Sequence, residues 1–106
     1  MLYAVLILKF KSMSVEIIGS GYGKKNEDLK VGDTYLQECV VNMWEFPPKD
    51  AFVYYSANGH QMVLREYTKT AEMTYKSRAL QPNEITKEIE NRLIEKGNEV
   101  FGRRLA

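Results

Sequence analysis

The chain of 106 residues has only one cysteine and one histidine. A single cysteine, Cys39, excludes an internal disulfide and any site built from several thiolates. A single histidine, His60, excludes three-histidine and HExxH metal sites. The acidic pair Glu27 and Asp28 lacks the alternating oxygen ligands of a calcium loop. We therefore expect no metal and no other cofactor.

The chain also lacks an excess of charge of either sign. Fifteen Lys and Arg against fourteen Asp and Glu give a formal net charge of +1, which does not provide the global field of a dedicated duplex binder. Long apolar runs are missing as well. The N-terminal run, residues 2–10, is too short to cross a bilayer, and lysine follows it instead of a cleavage site. We expect a cytoplasmic protein without membrane association.

Length and composition predict one globular domain over residues 1–106. The chain is 44% hydrophobic and 27% charged, which is ordinary for a globular protein that buries one core. Apolar runs alternate with polar turns over residues 2–77, so this part is predicted to form a sheet. The glycine-rich segment 19–33 is predicted to be a mobile loop. The predicted strands are residues 2–10 and 15–18, residues 34–46 up to Pro47-Pro48, two strands of a hairpin within 51–67, and an edge strand at 70–77 after a turn at 68–70.

The last quarter of the chain changes to a helical period. Pro82 suits a first helical turn, and apolar residues recur at Ile85, Ile89 and Leu93. This pattern predicts an amphipathic helix over about 82–101. The predicted fold class is α+β, with a twisted antiparallel sheet of five or six strands and one C-terminal amphipathic helix. The alternative is an SH3-like or OB-like small barrel with an appended helix.

The Asn58-Gly59 pair predicts a β-hairpin with a two-residue type I′ turn. This turn pairs Tyr55 with Met62 and Val53 with Leu64 on one face, which we expect to be the core. The opposite face then carries Phe52, Tyr54, Arg65 and Tyr67, with Lys76 on the neighbouring strand. Flat rings beside cations are typical of protein hot spots and of surfaces that bind single strands. The alternative is that the same rings pack inside the domain.

The glycine-rich loop offers a second, weaker candidate site. Gly21 and Gly23 with Lys24 and Lys25 could present backbone N–H groups and two cations to an anion. The spacing does not match a P-loop, and no βαβ unit surrounds the glycines. Cys39 lies in an apolar strand pattern, which favours a structural thiol over a reactive one. The size of Trp44 favours a core position over a partner contact.

No nucleophile with an adjacent base can be assembled from the local sequence, so we expect a protein that is not an enzyme. The first hypothesis is a protein-interaction module that binds through the aromatic and arginine face of the 51–67 hairpin. Its small size is common among inhibitors and accessory proteins of mobile genetic elements, an association of class only. One alternative is a single-stranded nucleic-acid or nucleotide binder that uses the same rings with Lys24, Lys25 and Lys76. Another is a structural homo-oligomer.

Overall fold

The computed structural model describes residues 15–42, 44 and 46–102, and the run 2–10 that is predicted to be a strand lies outside them. In this part of the chain the fold is α+β, which confirms the predicted class. Two short 3-10 turns accompany the strands and the helix. The strands are β1 (Ile17–Ile18), β2 (Thr34–Val40), β3 (Val53–Tyr55), β4 (Gln61–Ala71) and β5 (Thr74–Ala79), the helix is α1 (Lys87–Glu95), and the turns are Asn26–Asp28 and Pro82–Glu84.

Strand β4 is the central strand of the sheet. Its 11 residues are enough to pair with three other strands. It pairs with β2 on one side. On its other side it pairs first with β3 and then with β5. Strand β1 adds to β2 in a parallel sense, so the sheet is mixed where a purely antiparallel one is predicted. The sheet curls into a half-barrel.

Helix α1 covers one face of this sheet, which we call the inner face. Side chains of β3, β4 and α1 form its core, and Tyr54, Leu64 and Leu93 are the largest fully buried ones. The opposite side, the outer face, has a smaller buried cluster around Val53 and Val63. Alternation along each strand thus sends neighbouring residues to different cores.

The register of the hairpin differs by one residue from the prediction. Tyr54 pairs with Met62, and Val53 with Val63, so the loop has three residues instead of two. Gly59 alone takes a positive φ there, at 84°, which is typical of a type I turn followed by a left-handed residue. A shift of one residue changes which side chains of the two strands share a face. The predicted type I′ turn, and the faces derived from it, were therefore wrong.

The β4–β5 connection also differs from the prediction. The sequence predicts a turn at 68–70, but β4 continues to Ala71 and the chain reverses at Glu72 and Met73. Met73 has a φ of 64°, a conformation that glycine or asparagine adopts more readily. Because neither turn residue is a glycine or proline, the local sequence contains no signal for this reversal.

Helix α1 is shorter than the predicted 82–101. Thr86 caps its start, because the side-chain oxygen accepts a 3.2 Å hydrogen bond from the N–H of Ile89. Gly97 ends it with a φ of 84°, and the N–H of Asn98 returns to the carbonyl of Leu93 at 3.1 Å, as in a Schellman motif. Beyond it the chain is extended, and Glu99 pairs with Tyr55.

Candidate functional site

The residues predicted to form one binding face are divided between the two faces of the sheet. Phe52 and Tyr54 belong to the inner core, where Tyr54 has 0% exposure. Arg65 and Tyr67 occupy alternate positions of β4 on the outer face. Lys76 pairs with a β4 position on the inner side. The expectation that these five share a surface was wrong, because it rested on the shifted register. Whether Arg65, Tyr67 or Lys76 contacts a partner stays a prediction.

The outer face carries a cross-strand aromatic pair. The rings of Tyr35 and Tyr67 stack with centroids 5.2 Å apart and planes at 10°. The Tyr67 hydroxyl lies 3.7 Å from the Sγ of Cys39, which is half-buried, and Arg65 donates to the hydroxyl of Ser77 at 3.3 Å. Burial raises the pKa of both tyrosines. Tyr35, Tyr67, Cys39 and Arg65 thus each contact another side chain of the outer face.

The inner core contains a buried carboxylate that the sequence analysis did not identify. Glu38 accepts hydrogen bonds from the hydroxyl of Tyr54 at 3.0 Å, from Lys96 at 3.2 Å and from Asn98 at 2.7 Å. Lys96 also donates to the carbonyl of Ile17 at 2.9 Å. Burial, followed by the charge of Glu38, raises the pKa of Tyr54. A carboxylate with three donors and almost no exposure is suited to holding elements together.

The glycine-rich loop is attached to the sheet by its own contacts. The buried Nζ of Lys69 donates to the carbonyls of Asn26 and Leu29 at 3.0 and 2.8 Å, and the Tyr75 hydroxyl donates to Oδ1 of Asn26 at 2.7 Å. Lys24 forms a 2.9 Å ion pair with Glu16, and this hydrogen bond raises the pKa of Lys24.

The loop residues proposed for anion binding therefore differ in their surroundings. Lys24 has a carboxylate partner, whereas Lys25 is exposed. Gly21 has a φ of 86°, and Gly23 lies beside Oε1 of Gln37, which is 3.7 Å from where a Cβ would stand. Anion binding by this loop, and its mobility, stay predictions.

A cleft of about 590 Å³ opens on the inner face. It lies where the glycine-rich loop, the start of β2 and α1 meet. Arg78 stands on its wall between two carboxylates, 3.3 Å from Glu66 and 2.8 Å from Glu84. Hydrogen bonding to Glu84 raises the pKa of Arg78, and the backbone N–H of Gln81 with Arg78 lowers the pKa of Glu84. The cleft is thus an open volume with charged side chains on its wall that are held in place by ion pairs.

Within the part of the chain that the structure describes, the most exposed aromatic side chains lie in the β2–β3 connection. Trp44 is 86% exposed and Phe46 is 95% exposed, so the expectation that Trp44 anchors the core was wrong. We call these two residues the aromatic pair. The N–H of Trp44 donates to Oδ1 of Asn42 at 2.9 Å. After the pair, a turn returns the N–H of Ala51 to the carbonyl of Pro48 at 3.1 Å.

Within the described residues, no group of three or more His, Cys, Asp or Glu is placed to hold a metal ion. No helix in the same part of the chain is long and apolar enough to span a membrane. Comparison with protein-family models, with curated proteins and with solved structures finds no match. The function therefore has to be inferred from the surfaces of this chain.

Proposed function

We propose that this protein is a non-enzymatic protein-interaction module that binds a partner protein through Trp44 and Phe46. The observation that carries the proposal is the exposure of both rings. Single exposed apolar residues are common, but two large rings two positions apart mark an interaction site more specifically. Tryptophan is also among the residues most enriched in binding hot spots. Burying each ring contributes about 4–6 kcal/mol before the costs of association are subtracted.

The backbone on both sides of the aromatic pair is held before any partner arrives. Asn42 fixes the N–H of Trp44 from the preceding side. Pro47 and Pro48 restrict the backbone that follows, and the next turn leads into Ala51, which is buried. Such pre-organisation lowers the conformational entropy that is lost on binding. The pair is therefore presented in a manner suited to specific recognition.

A protein partner fits this surface better than a lipid surface does. Residues 41–52 contain one lysine, Lys49, and two acidic residues, Glu45 and Asp50. This net negative charge gives no attraction to anionic lipid headgroups, which recognise clusters of Lys and Arg. The ring of Tyr67 and the ammonium group of Lys76 do not form a continuous nucleic-acid path either, because the two residues lie on opposite sides of the sheet.

The proposal is tested by affinity capture from the host with three immobilised proteins. These are the wild type, the double variant Trp44→Ala/Phe46→Ala, and a matched control, Met73→Ala, which removes a side chain that is 73% exposed in the β4–β5 turn. We expect one protein to be retained by the wild type and by Met73→Ala and to be lost with the double variant. All three proteins should have the same melting temperature, because the removed side chains make few internal contacts.

Three results would contradict the proposal. The first is equal capture by all three proteins. The second is binding of the wild type, but not of the double variant, to phosphatidylserine vesicles without any captured protein, which would assign the pair to a membrane surface. The third is a stable homo-oligomer by native mass spectrometry that the double variant loses, which would assign the pair to self-association. A role as an inhibitor or accessory protein of a mobile genetic element is a narrower form of this proposal, and identification of the captured protein tests it.

A further inference from the structure

We propose that the cleft on the inner face is a second binding site, which takes a basic peptide segment of a partner protein. This site does not depend on the aromatic pair. Its lining comes from residues 15 and 16 before β1, the glycine-rich loop, β2, β4, β5 and α1, so several separate elements converge on one volume. The apolar part of the lining consists of Val15, Leu29, Leu36, Leu80 and Ile89.

The charges around this apolar floor favour a cation. Five carboxylates and two cations line the cleft, whereas the whole chain carries a formal charge of +1. The two cations are already engaged, Lys24 with Glu16 and Arg78 with Glu66 and Glu84. Among the described residues, Asp28 and Asp33 have no cation within ion-pair distance. The cleft therefore carries a local negative charge, although the net charge of the whole chain is slightly positive.

The shape and charge together match a side chain with an apolar stem and a charged head. Arg and Lys place their methylene groups on apolar surface while the head reaches a polar rim. Arg is the better fit, because its planar guanidinium can bind carboxylates with two parallel hydrogen bonds. A volume of about 590 Å³ lies in the range of small-ligand pockets, which suits a few side chains of a segment. An anion such as phosphate would be repelled by the same rim.

A fluorescein-labelled hexapeptide of alternating Leu and Arg is the probe, and its binding is followed by fluorescence anisotropy. One control peptide replaces Leu with Ser and keeps the charge, and another replaces Arg with Glu and keeps the apolar residues. We expect the Leu-Arg peptide to bind at least about tenfold more tightly than either control. It alone can contact both the apolar lining and the carboxylates of the cleft.

The matched protein variants are Asp28→Asn/Asp33→Asn and Glu72→Gln. An amide at position 33 still has the oxygen that accepts the 2.9 Å hydrogen bond from the N–H of Lys30, so the loop keeps that contact. Glu72 is exposed in the β4–β5 turn and does not line the cleft. We expect the double variant to bind the Leu-Arg peptide about tenfold more weakly, and Glu72→Gln to bind it as the wild type does.

The proposal is overturned by any of three results. Equal binding of the Ser-Arg and Leu-Arg peptides would mean that charge alone attracts the probe. Equal weakening by Glu72→Gln would mean that no particular site is involved. Loss of peptide binding in Trp44→Ala/Phe46→Ala would place the peptide on the aromatic pair. If instead that variant binds the peptide normally but captures no partner, the two sites are shown to act separately.

Discussion

The hydroxyl of Tyr54 donates a 3.0 Å hydrogen bond to Oε2 of Glu38 inside the core. Tyr54 belongs to β3 and Glu38 to β2, two strands that are separated by β4 in the sheet. The same carboxylate accepts from Lys96 and Asn98, which follow the end of α1. One buried group therefore joins two strands to the end of the helix, and a residue predicted to bind a partner stabilises the fold.

Removing the Tyr54 hydroxyl should destabilise the protein without disturbing its shape. We expect Tyr54→Phe to lower the free energy of unfolding by about 1–2 kcal/mol, because Glu38 loses one of its donors while the ring still packs. Urea denaturation measures this change. Tyr22→Phe is the control, since Tyr22 is 75% exposed and should change stability by less than about 0.5 kcal/mol. Equal stability of Tyr54→Phe and the wild type would show that the hydroxyl of Tyr54 does not stabilise the fold.

The same tyrosine predicts a loss of stability at high pH. Burial raises the pKa of Tyr54 above its ordinary value, so the folded state keeps a proton that the unfolded state loses near pH 10. Its contribution is complete below about pH 10 and is lost as the pH rises beyond that. The free energy of unfolding should therefore fall less steeply above pH 10 in Tyr54→Phe than in the wild type. Tyr35 and Tyr67, whose pKa values are also raised, leave part of the slope in place; parallel curves would contradict this assignment.

Substitutions in the hairpin loop distinguish the three-residue loop of the structure from the two-residue type I′ turn. In a type I′ turn both Asn58 and Gly59 need positive φ, whereas here only Gly59 has it. We expect Gly59→Ala to lower the free energy of unfolding by about 1 kcal/mol or more, and Asn58→Ala to change it by less than about 0.5 kcal/mol. Thermal or urea unfolding of both variants is the measurement. Similar large losses from both substitutions would favour the two-residue turn.

The hydrogen bonds from Lys69 should stabilise the glycine-rich loop. Lys69→Met keeps an apolar stem of similar length but removes the hydrogen bonds to the carbonyls of Asn26 and Leu29. We expect the backbone amides of Asp28 and Leu29 to exchange about tenfold faster with solvent, which corresponds to roughly 1.4 kcal/mol of lost local stability. Lys76→Met, at an exposed position of β5, is the control. Unchanged exchange in Lys69→Met would show that the loop is held by other contacts.

The fold class was predictable because its signals are local. The strand patterns, the glycine-rich loop and the apolar stripe of Ile89 and Leu93 can each be recognised within a few residues. The boundaries were less predictable for a physical reason. Gly97 terminates α1 through a left-handed conformation, yet the apolar residues Val100 and Phe101 continue the spacing of the helix beyond it.

The candidate surfaces depended on information that the sequence does not contain locally. A single extra loop residue beside Gly59 moved Phe52 and Tyr54 into the core. The donors of Glu38 lie 16, 58 and 60 residues away along the chain, so no local motif could indicate them. Trp44 has an apolar side chain that suits either a core or a surface, and only the path of its connection exposes it.

Titration calorimetry of the purified captured partner with the wild type and with Trp44→Ala measures directly how much Trp44 contributes to binding. Both proteins must first show the same melting temperature, so that folding does not explain a difference. A hot-spot tryptophan contributes about 2 kcal/mol or more, so we expect the affinity for Trp44→Ala to be at least about 30-fold weaker. Equal affinities would contradict the claim that the aromatic pair is the site through which this protein binds.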